Sequence, residues 1–251
     1  MHAQIIGTLL TWSAVVSVQT TLGVGLPPGS PAEQAFEFFA ALPITTADSA
    51  LATIRPKPIG AEEKRRALAE LPTEGELRPT AGDMAKLESL RRVLIYHKRE
   101  AVFEVKVIDV PQAAVVLYAR SVVLVSRPAL RLVSALELQA IVAHEMGHEF
   151  FGEEAHARHG RDARTRHELE LRCDAIAILT LLQLGLDPYS VVSAAQKLTR
   201  FNEQIGMTTD TEQYPTTAER EQFTRAILNL LRHRGLLRHR GLAVTAVHDS
   251  Q

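Results

Sequence analysis

The feature that most constrains this chain is residues 144–148, which read HEMGH. In a helix, residues four apart lie one turn apart on the same face, so His144 and His148 would project side by side. Glu145 would point off that line and stay close to both rings. Two imidazoles at this spacing, with a carboxylate beside the first, are the pattern of a zinc-hydrolase half-site.

The surrounding segment predicts the helix that this spacing needs. Ser134 and Glu137 form a capping box, which predicts a helix beginning at Ala135. Gly152 is predicted to end this helix by adopting a left-handed backbone conformation. Residues 140–143 are apolar on every face, so the two histidines are predicted to be buried rather than to form an exposed polar patch. Buried imidazoles beside a carboxylate need partners, and one Zn²⁺ ion per chain would supply them.

Two histidines leave a four-coordinate zinc short of one protein ligand. The downstream candidates are carboxylates and imidazoles, namely Glu170, Asp174, His156, His159 and His167. A known three-histidine motif places a glycine three residues after the second histidine and the third histidine three residues later. Gly152 and His156 miss that spacing, and the segment that holds His156 and His159 reads as a solvated loop.

The helix predicted after residue 165 favours a carboxylate as the third ligand. Thr165 and Glu168 form a second capping box, and Glu170 and Asp174 follow on one face. The next two turns are nearly all apolar, so these carboxylates would be costly to bury without cations or donors. We therefore predict Glu170 as the third ligand and Asp174 as the acceptor that orients a ligand histidine. An ordinary solvent-facing pair is the alternative.

Four stretches together resemble the gluzincin zinc peptidases of metallopeptidase family forty-eight, the HtpX and CAAX prenyl protease type. Residues 121–130 resemble the strand and turn that precede the active-site helix, and residues 136–148 resemble that helix. Residues 170–174 match a Glu-x-x-x-Asp element, and residues 214–220 resemble a His-Pro-x-x-x-x-Arg segment. The resemblance covers about residues 100–232 and implies a zincin-like catalytic domain.

The fourth stretch departs from the family at its first position. Tyr214 stands where the family has a histidine that helps to position or stabilise the reacting carbonyl. A phenol is also a hydrogen-bond donor, so the resemblance implies a catalytic role for Tyr214, with a packed aromatic before Pro215 as the alternative. Arg220 is predicted to pair with a buried carboxylate such as Asp174, the alternative being a surface arginine on a helix capped by Thr216.

The implied reaction is peptide hydrolysis by a metal-activated water, with Glu145 as the general base. The β-rich residues 101–126 predict a small mixed sheet whose edge could pair with an extended peptide, or simply a core sheet. The fold class predicted is therefore α+β and mostly helical, with a zincin-like catalytic domain. Its predicted partners are peptide or protein substrates.

Length and composition favour one catalytic domain. The chain has 251 residues, 46% of them hydrophobic, and its net charge of −1 argues against a nucleic-acid partner. The predicted divisions are a signal peptide or membrane anchor at 1–28, a helical region packing on the core at 31–98, the peptidase domain at 99–232 and a basic tail at 233–251. Helices are predicted at 32–42, 61–71 and 83–98. The single Cys173 allows no internal disulfide and reads as a small core residue.

The amino end predicts export. Residues 5–26 lack charged side chains and are rich in apolar ones, which is typical of a signal peptide or anchor, with a buried helix as the alternative. The expected location is the periplasm or the membrane of the cell envelope, and membrane association would occur through this segment. The sequence thus predicts an envelope metalloendopeptidase for protein quality control or processing. The alternative is a catalytically silent zincin-fold protein with a structural or partner-binding role.

Overall fold

The computed structural model describes residues 25–43, 45–71, 75–152 and 162–237. These residues form an α+β fold, about 60% helical with a small mixed sheet, which confirms the coarse class predicted from the sequence. Most of the apolar amino-terminal segment and most of the basic tail lie outside the described residues, as do His156 and His159. Among the helices that are described, none combines the length and apolarity needed to cross a bilayer.

Ten helices and four strands make up the described part of the chain. The helices are α1 (Pro31–Ala41), α2 (Ala47–Ile54), α3 (Ala61–Glu70), α4 (Ala81–Ser89), α5 (Arg91–Tyr96), α6 (Arg127–Leu132), α7 (Ala135–Phe150), α8 (Ala163–Gln183), α9 (Ser190–Gln204) and α10 (Thr217–His233). The strands are β1 (Glu76–Leu77), β2 (Glu104–Ile108), β3 (Val115–Tyr118) and β4 (Val122–Ser126). The single helix expected over 83–98 is in fact two, because the chain turns at Leu90 between α4 and α5.

The sheet places an edge strand beside α7. Its strand order is β1-β2-β4-β3, with β4 parallel to β2 and antiparallel to β3. Within the buried β4, Val122, Val123 and Val125 are fully buried, as expected for a strand covered on both faces. Val115 of β3 pairs with Val125 of β4, and the other edge of β3 is turned toward α7.

The central helix α7 begins where the capping box predicts. The Ser134 hydroxyl accepts a hydrogen bond from the Glu137 N–H at 3.2 Å, and the Glu137 carboxylate accepts one from the Ser134 N–H at 2.8 Å. The helix is buried almost all round, so its stability depends on packing rather than on an amphipathic surface. The predicted stop at Gly152 is wrong: α7 ends at Phe150, and the Phe151 N–H bonds to the Gly147 carbonyl.

The next helix, α8, begins earlier than predicted. Asp162 is its N-cap, and its carboxylate accepts from the Thr165 N–H at 2.9 Å, so the capping box expected at Thr165 is wrong. An ionised Asp is a stronger acceptor than a hydroxyl and it also favours the positive end of the helix dipole. The helix ends at Gln183, and Gly185 follows with a φ of +69°.

A buried ion pair fixes the carboxyl end of α7. The Arg99 Nε lies 3.0 and 2.8 Å from the two carboxylate oxygens of Glu149, and the same guanidinium donates to the Pro56 carbonyl. Both side chains are buried, so removing either partner would leave an uncompensated charge. Because Glu149 follows His148 directly, this pair also restricts the end of α7 that carries the second histidine.

Helices α7 and α8 approach so closely that only a glycine fits at their contact. A Cβ added to Gly147 would lie 2.6 Å from the Cα and 2.7 Å from the Cβ of Cys173. Backbone atoms cannot rotate out of the way, so the helices would have to move apart. The HEMGH glycine therefore sets the distance between the two helices.

We predict that Gly147→Ala lowers the free energy of unfolding by about 1–3 kcal/mol, the usual cost of overpacking, although alanine favours a helix more than glycine does. Urea unfolding measures this change in the free energy of unfolding. The matched control is Gly82→Ala in α4, where the nearest side-chain atom would lie 3.9 Å from the new Cβ, and no loss is expected. A Gly147→Ala protein as stable as the wild type would contradict the close contact.

Candidate metal centre

The α7 helix directs both HEMGH histidines toward one carboxylate on α8. The Nε2 atom of His144 lies 3.3 Å from Oε2 of Glu170, and Nε2 of His148 lies 3.6 Å from Oε1 of the same residue. The His144 side chain is 12% exposed and that of His148 is 32% exposed. The structure thus brings together the three residues that the sequence predicts as metal ligands.

These distances match those between ligands of one zinc ion. Two ligand atoms bound tetrahedrally at about 2.0–2.1 Å from zinc lie about 3.3 Å from each other. The two imidazole-to-carboxylate distances are close to that value, 3.3 Å from His144 to Oε2 and 3.6 Å from His148 to Oε1, so each ring faces a different oxygen of Glu170. The donor set of two imidazoles and one carboxylate also fits a catalytic zinc site, which leaves a fourth position for water or substrate.

Cys173 offers a second way to complete a set of three donors. Donor atoms of His144, His148 and Cys173 lie within 4.8 Å of one another, and the Cys173 Sγ is 3.5 Å from Nδ1 of His148. Burial, together with the negative charges of Glu170 and nearby carboxylates, raises the pKa of the Cys173 thiol well above its usual range. Metal binding would remove the proton of this thiol as it would that of the His144 imidazolium, so protonation does not decide between the two donor sets. Geometry favours Glu170, because Nε2 of both rings faces its carboxylate, whereas Cys173 contacts Nδ1 of His148.

Asp174 and Arg220 occupy the positions expected of orienting groups. The Asp174 carboxylate lies 2.8 Å from Nδ1 of His144, which must donate the proton, so Nε2 on the side of Glu170 is the nitrogen left to bind a metal. Nη1 of Arg220 lies 2.5 Å from both Asp174 oxygens, and its Nη2 lies 3.6 Å from Glu170. Arg220 is 9% exposed, so the alternative of a surface arginine is wrong.

Glu145 is buried beside the ligands and contacts the sheet. Its Oε2 accepts a hydrogen bond from the Leu117 N–H of β3 at 2.9 Å. Burial raises the pKa of the Glu145 carboxyl, while positive charge on His148 and His144 and the Leu117 N–H oppose that rise. A carboxylate with increased proton affinity near a water site can serve as a general base.

A cavity of about 350 Å³ opens beside these groups. His144, Glu145, Asp174 and Arg220 line it together with Tyr214, which comes from the segment before α10 and is 39% exposed. The predicted catalytic residues therefore share one cavity. The role of Tyr214 stays a prediction.

His167, another histidine that the sequence offers as a third ligand, lies away from the HEMGH histidines. His167 is buried one turn before Glu170, but its Nε2 is 3.4 Å from a Glu219 oxygen and its Nδ1 is 3.4 Å from the Glu212 carbonyl. Its ring thus contacts α10 and the segment before it rather than the HEMGH pair.

The buried charges change the protonation of the centre. Burial alone lowers the pKa of His144, but hydrogen bonds and charge from Asp174 and Glu170 outweigh it and raise that pKa to about 10. Burial raises the pKa of Glu170, whereas His144, His148 and Arg220 lower it to about 2. Without metal, His144 is therefore an imidazolium, and zinc must displace its proton to bind.

Comparisons with known proteins identify no family for this chain. No protein-family model matches the chain, and a search of curated proteins also finds no match.

Two parts of the centre escaped the sequence analysis. The Leu117 N–H is a backbone group, and its position is set by strand pairing rather than by residue type. The helix α9 borders the cavity, and its stripe at Val191, Ala195 and Leu198 has helical spacing that could have indicated a helix face. That spacing would not have shown which neighbour the face meets.

The charges of His144 and Glu170 predict how pH affects the stability of the metal-free protein. The pKa of His144 rises from 6.5 to about 10 on folding, so its contribution to stability is complete below pH 6.5 and is lost as pH rises toward 10. The pKa of Glu170 falls from 4.5 to about 2, so its contribution is complete above pH 4.5 and is lost as pH falls toward 2. Urea unfolding in EDTA should show falling stability between pH 6.5 and 9.5.

Two controls separate His144 from other titrating groups. His144→Gln should flatten that alkaline decline, whereas the same change at the exposed His233 should leave it intact. Saturating zinc should also flatten it, because the metal replaces the proton. An unchanged decline in His144→Gln would show that the buried imidazolium is not its source.

Proposed function

We propose that this protein is a zinc-dependent metalloendopeptidase with a zincin-like catalytic domain of the gluzincin type. The observation that carries the proposal is the convergence of both HEMGH imidazoles on the Glu170 carboxylate at ligand-to-ligand distances. His144, His148 and Glu170 would hold the metal. Bound zinc would supply a water of lowered pKa and polarisation of the scissile carbonyl.

The remaining residues divide the work of peptide hydrolysis. Glu145 would take the proton of the attacking water and deliver it to the leaving amine. Asp174 accepts from Nδ1 of His144 and would leave Nε2 for the metal once zinc displaces its proton, and Arg220 neutralises the charge of Asp174. The Tyr214 hydroxyl would donate a hydrogen bond to the carbonyl oxygen as negative charge develops there.

The sheet edge supports an extended polypeptide as substrate. β3 is an edge strand, and the Leu117 N–H on its free side already reaches the Glu145 carboxylate. A peptide added antiparallel or parallel to this edge would therefore pass directly beside the general base. Such recognition relies on backbone hydrogen bonds and suits substrates of varied sequence, as in quality control of unfolded proteins. We place this activity in the cell envelope on the strength of the apolar amino-terminal segment.

Two substitutions test the proposal through different readouts. Glu170→Gln should lose zinc on dialysis, because an amide is a weaker ligand than a carboxylate, whereas Glu145→Gln should retain one zinc per chain. Glu145→Gln should lower kcat on unfolded casein by about 100- to 10,000-fold. Metal analysis and a fluorescent casein assay measure the two effects.

Glu203→Gln, an exposed change on α9, is the matched control and should alter neither property. Full activity in Glu145→Gln would remove the general base from the mechanism. Stoichiometric zinc without turnover in the wild type would instead favour a catalytically silent protein of the zincin fold. The presence of Tyr214, where the resembled family has a histidine, supports that alternative.

A further inference from the structure

The free edge of β3 offers backbone hydrogen bonds at alternate residues. Ser126 of β4 donates its N–H to the Ala114 carbonyl at 2.9 Å, which places the backbone groups of Ala114 on the side of β4. Ala113, Val115 and Leu117 therefore turn their N–H and C=O groups to the opposite side, which no strand of the sheet covers. The edge thus presents backbone groups at three successive points.

Asn202 of α9 fills the first of these points. Its Oδ1 accepts from the Ala113 N–H at 2.8 Å, and its Nδ2 donates to the Ala113 carbonyl at 3.0 Å. Two residues that face each other in an antiparallel sheet exchange this same pair of hydrogen bonds. The side-chain amide of Asn202 therefore takes the place that one residue of an added strand would occupy.

The end of α9 holds the Asn202 amide in this position. The Asn202 carbonyl accepts from the N–H groups of Ile205 at 3.2 Å and Met207 at 3.0 Å, which closes the turn after the helix. Ala113 is 3% exposed, so its bonds to the amide are shielded from water. Pro111, two residues earlier, has no backbone N–H with which to continue a strand ladder. Pairing along this edge therefore ends at Ala113.

The filled point lies in the cavity of the metal centre rather than on a remote edge. Ala113 and Asn202 line the same cavity as Glu145. Val115 lines it as well, and its outward N–H and C=O have no partner among the residues that the structure describes. A polypeptide that pairs with β3 beside Glu145 thus meets open backbone groups at Val115 and a filled position at Ala113.

We propose that Asn202 is a specificity-determining residue that limits how many substrate residues pair with β3 on one side of the scissile bond. This inference rests on the proposed peptidase function. The Leu117 N–H, which contacts Glu145, marks the position of the proposed general base on the edge. A strand advances about 3.3 Å per residue, so about three substrate residues fit between the levels of Leu117 and Ala113. Residues beyond them have to leave the edge and add no backbone hydrogen bonds to it.

Two nested sets of peptide hydroxamates test this limit by their affinity for the zinc-loaded protein. One set carries the metal-binding hydroxamate at the amino end of the peptide and the other at the carboxyl end, so each set extends on only one side of the zinc. In one of the two sets, we expect affinity to rise by about tenfold over the first three residues, because backbone hydrogen bonds to β3 are added. A fourth and a fifth residue should add nothing.

Asn202→Ala removes the amide and opens the backbone groups of Ala113. The fourth and fifth residues of the same set should then raise affinity by about threefold or more. Asn229→Ala makes the same change on α10, away from the cavity lining, and should keep the wild-type limit. Asn202→Asp keeps the size of the side chain but loses its N–H donors, so it opens the Ala113 carbonyl and replaces Asn202→Ala if that protein does not fold.

Affinity that keeps rising past the third residue in both wild-type sets would overturn the limit, and so would affinity that is independent of length in both. The same limit in the Asn202 variants would show that this residue only holds α9 against the sheet. The assay requires bound zinc but no peptide cleavage. A length limit without turnover therefore supports the role of Asn202 and rejects only the peptidase activity, whereas turnover without a length limit rejects only the role of Asn202.

Discussion

Two buried carboxylates on α8 impose the arrangement of the site. Glu170 and Asp174 are almost fully buried, and an uncompensated buried charge costs several kcal/mol. Their partners come from two other helices, His144 and His148 from α7 and Arg220 from α10. Charge compensation therefore ties three helices together at one point, and the missing side chain of Gly147 permits the approach of α7 to α8 that this compensation requires.

The same compensation gives the site its chemistry. In the metal-free protein a proton on His144 balances the carboxylates, and zinc would take the place of that proton. Glu145 has a different partner, because its carboxylate accepts a hydrogen bond from the backbone of β3. One helix can thus present ligands on one side and a proton acceptor on another. One face of α9 lines the same cavity as that acceptor.

The parts that the sequence predicts well depend on local spacing. The capping boxes at Ser134 and Thr216 form as expected, because each needs only two residues three positions apart. The pairing of Glu170 with the two histidines follows from the cost of burying a carboxylate on an apolar helix. Cys173 is buried, as predicted for a small core residue.

The parts that the sequence does not predict depend on choices between competing partners or on distant contacts. Asp162 outcompetes Thr165 as the cap of α8, and Leu90 interrupts a segment whose pattern reads as one helix. The two-residue strand β1 exists only because it pairs with β2. The hydrogen bond from the Leu117 N–H to Glu145 arises from the register of β3 on β4, to which no residue letter points.

Zinc K-edge X-ray absorption of the metal-loaded protein identifies the atoms that bind the metal. Ligation by His144, His148 and Glu170 gives a first shell of nitrogen and oxygen at about 2.0–2.2 Å, with the imidazole signature of two histidines and no sulfur. A sulfur atom at about 2.3 Å would assign Cys173 rather than Glu170 to the metal and contradict this ligand set. So would a protein that retains no zinc after dialysis.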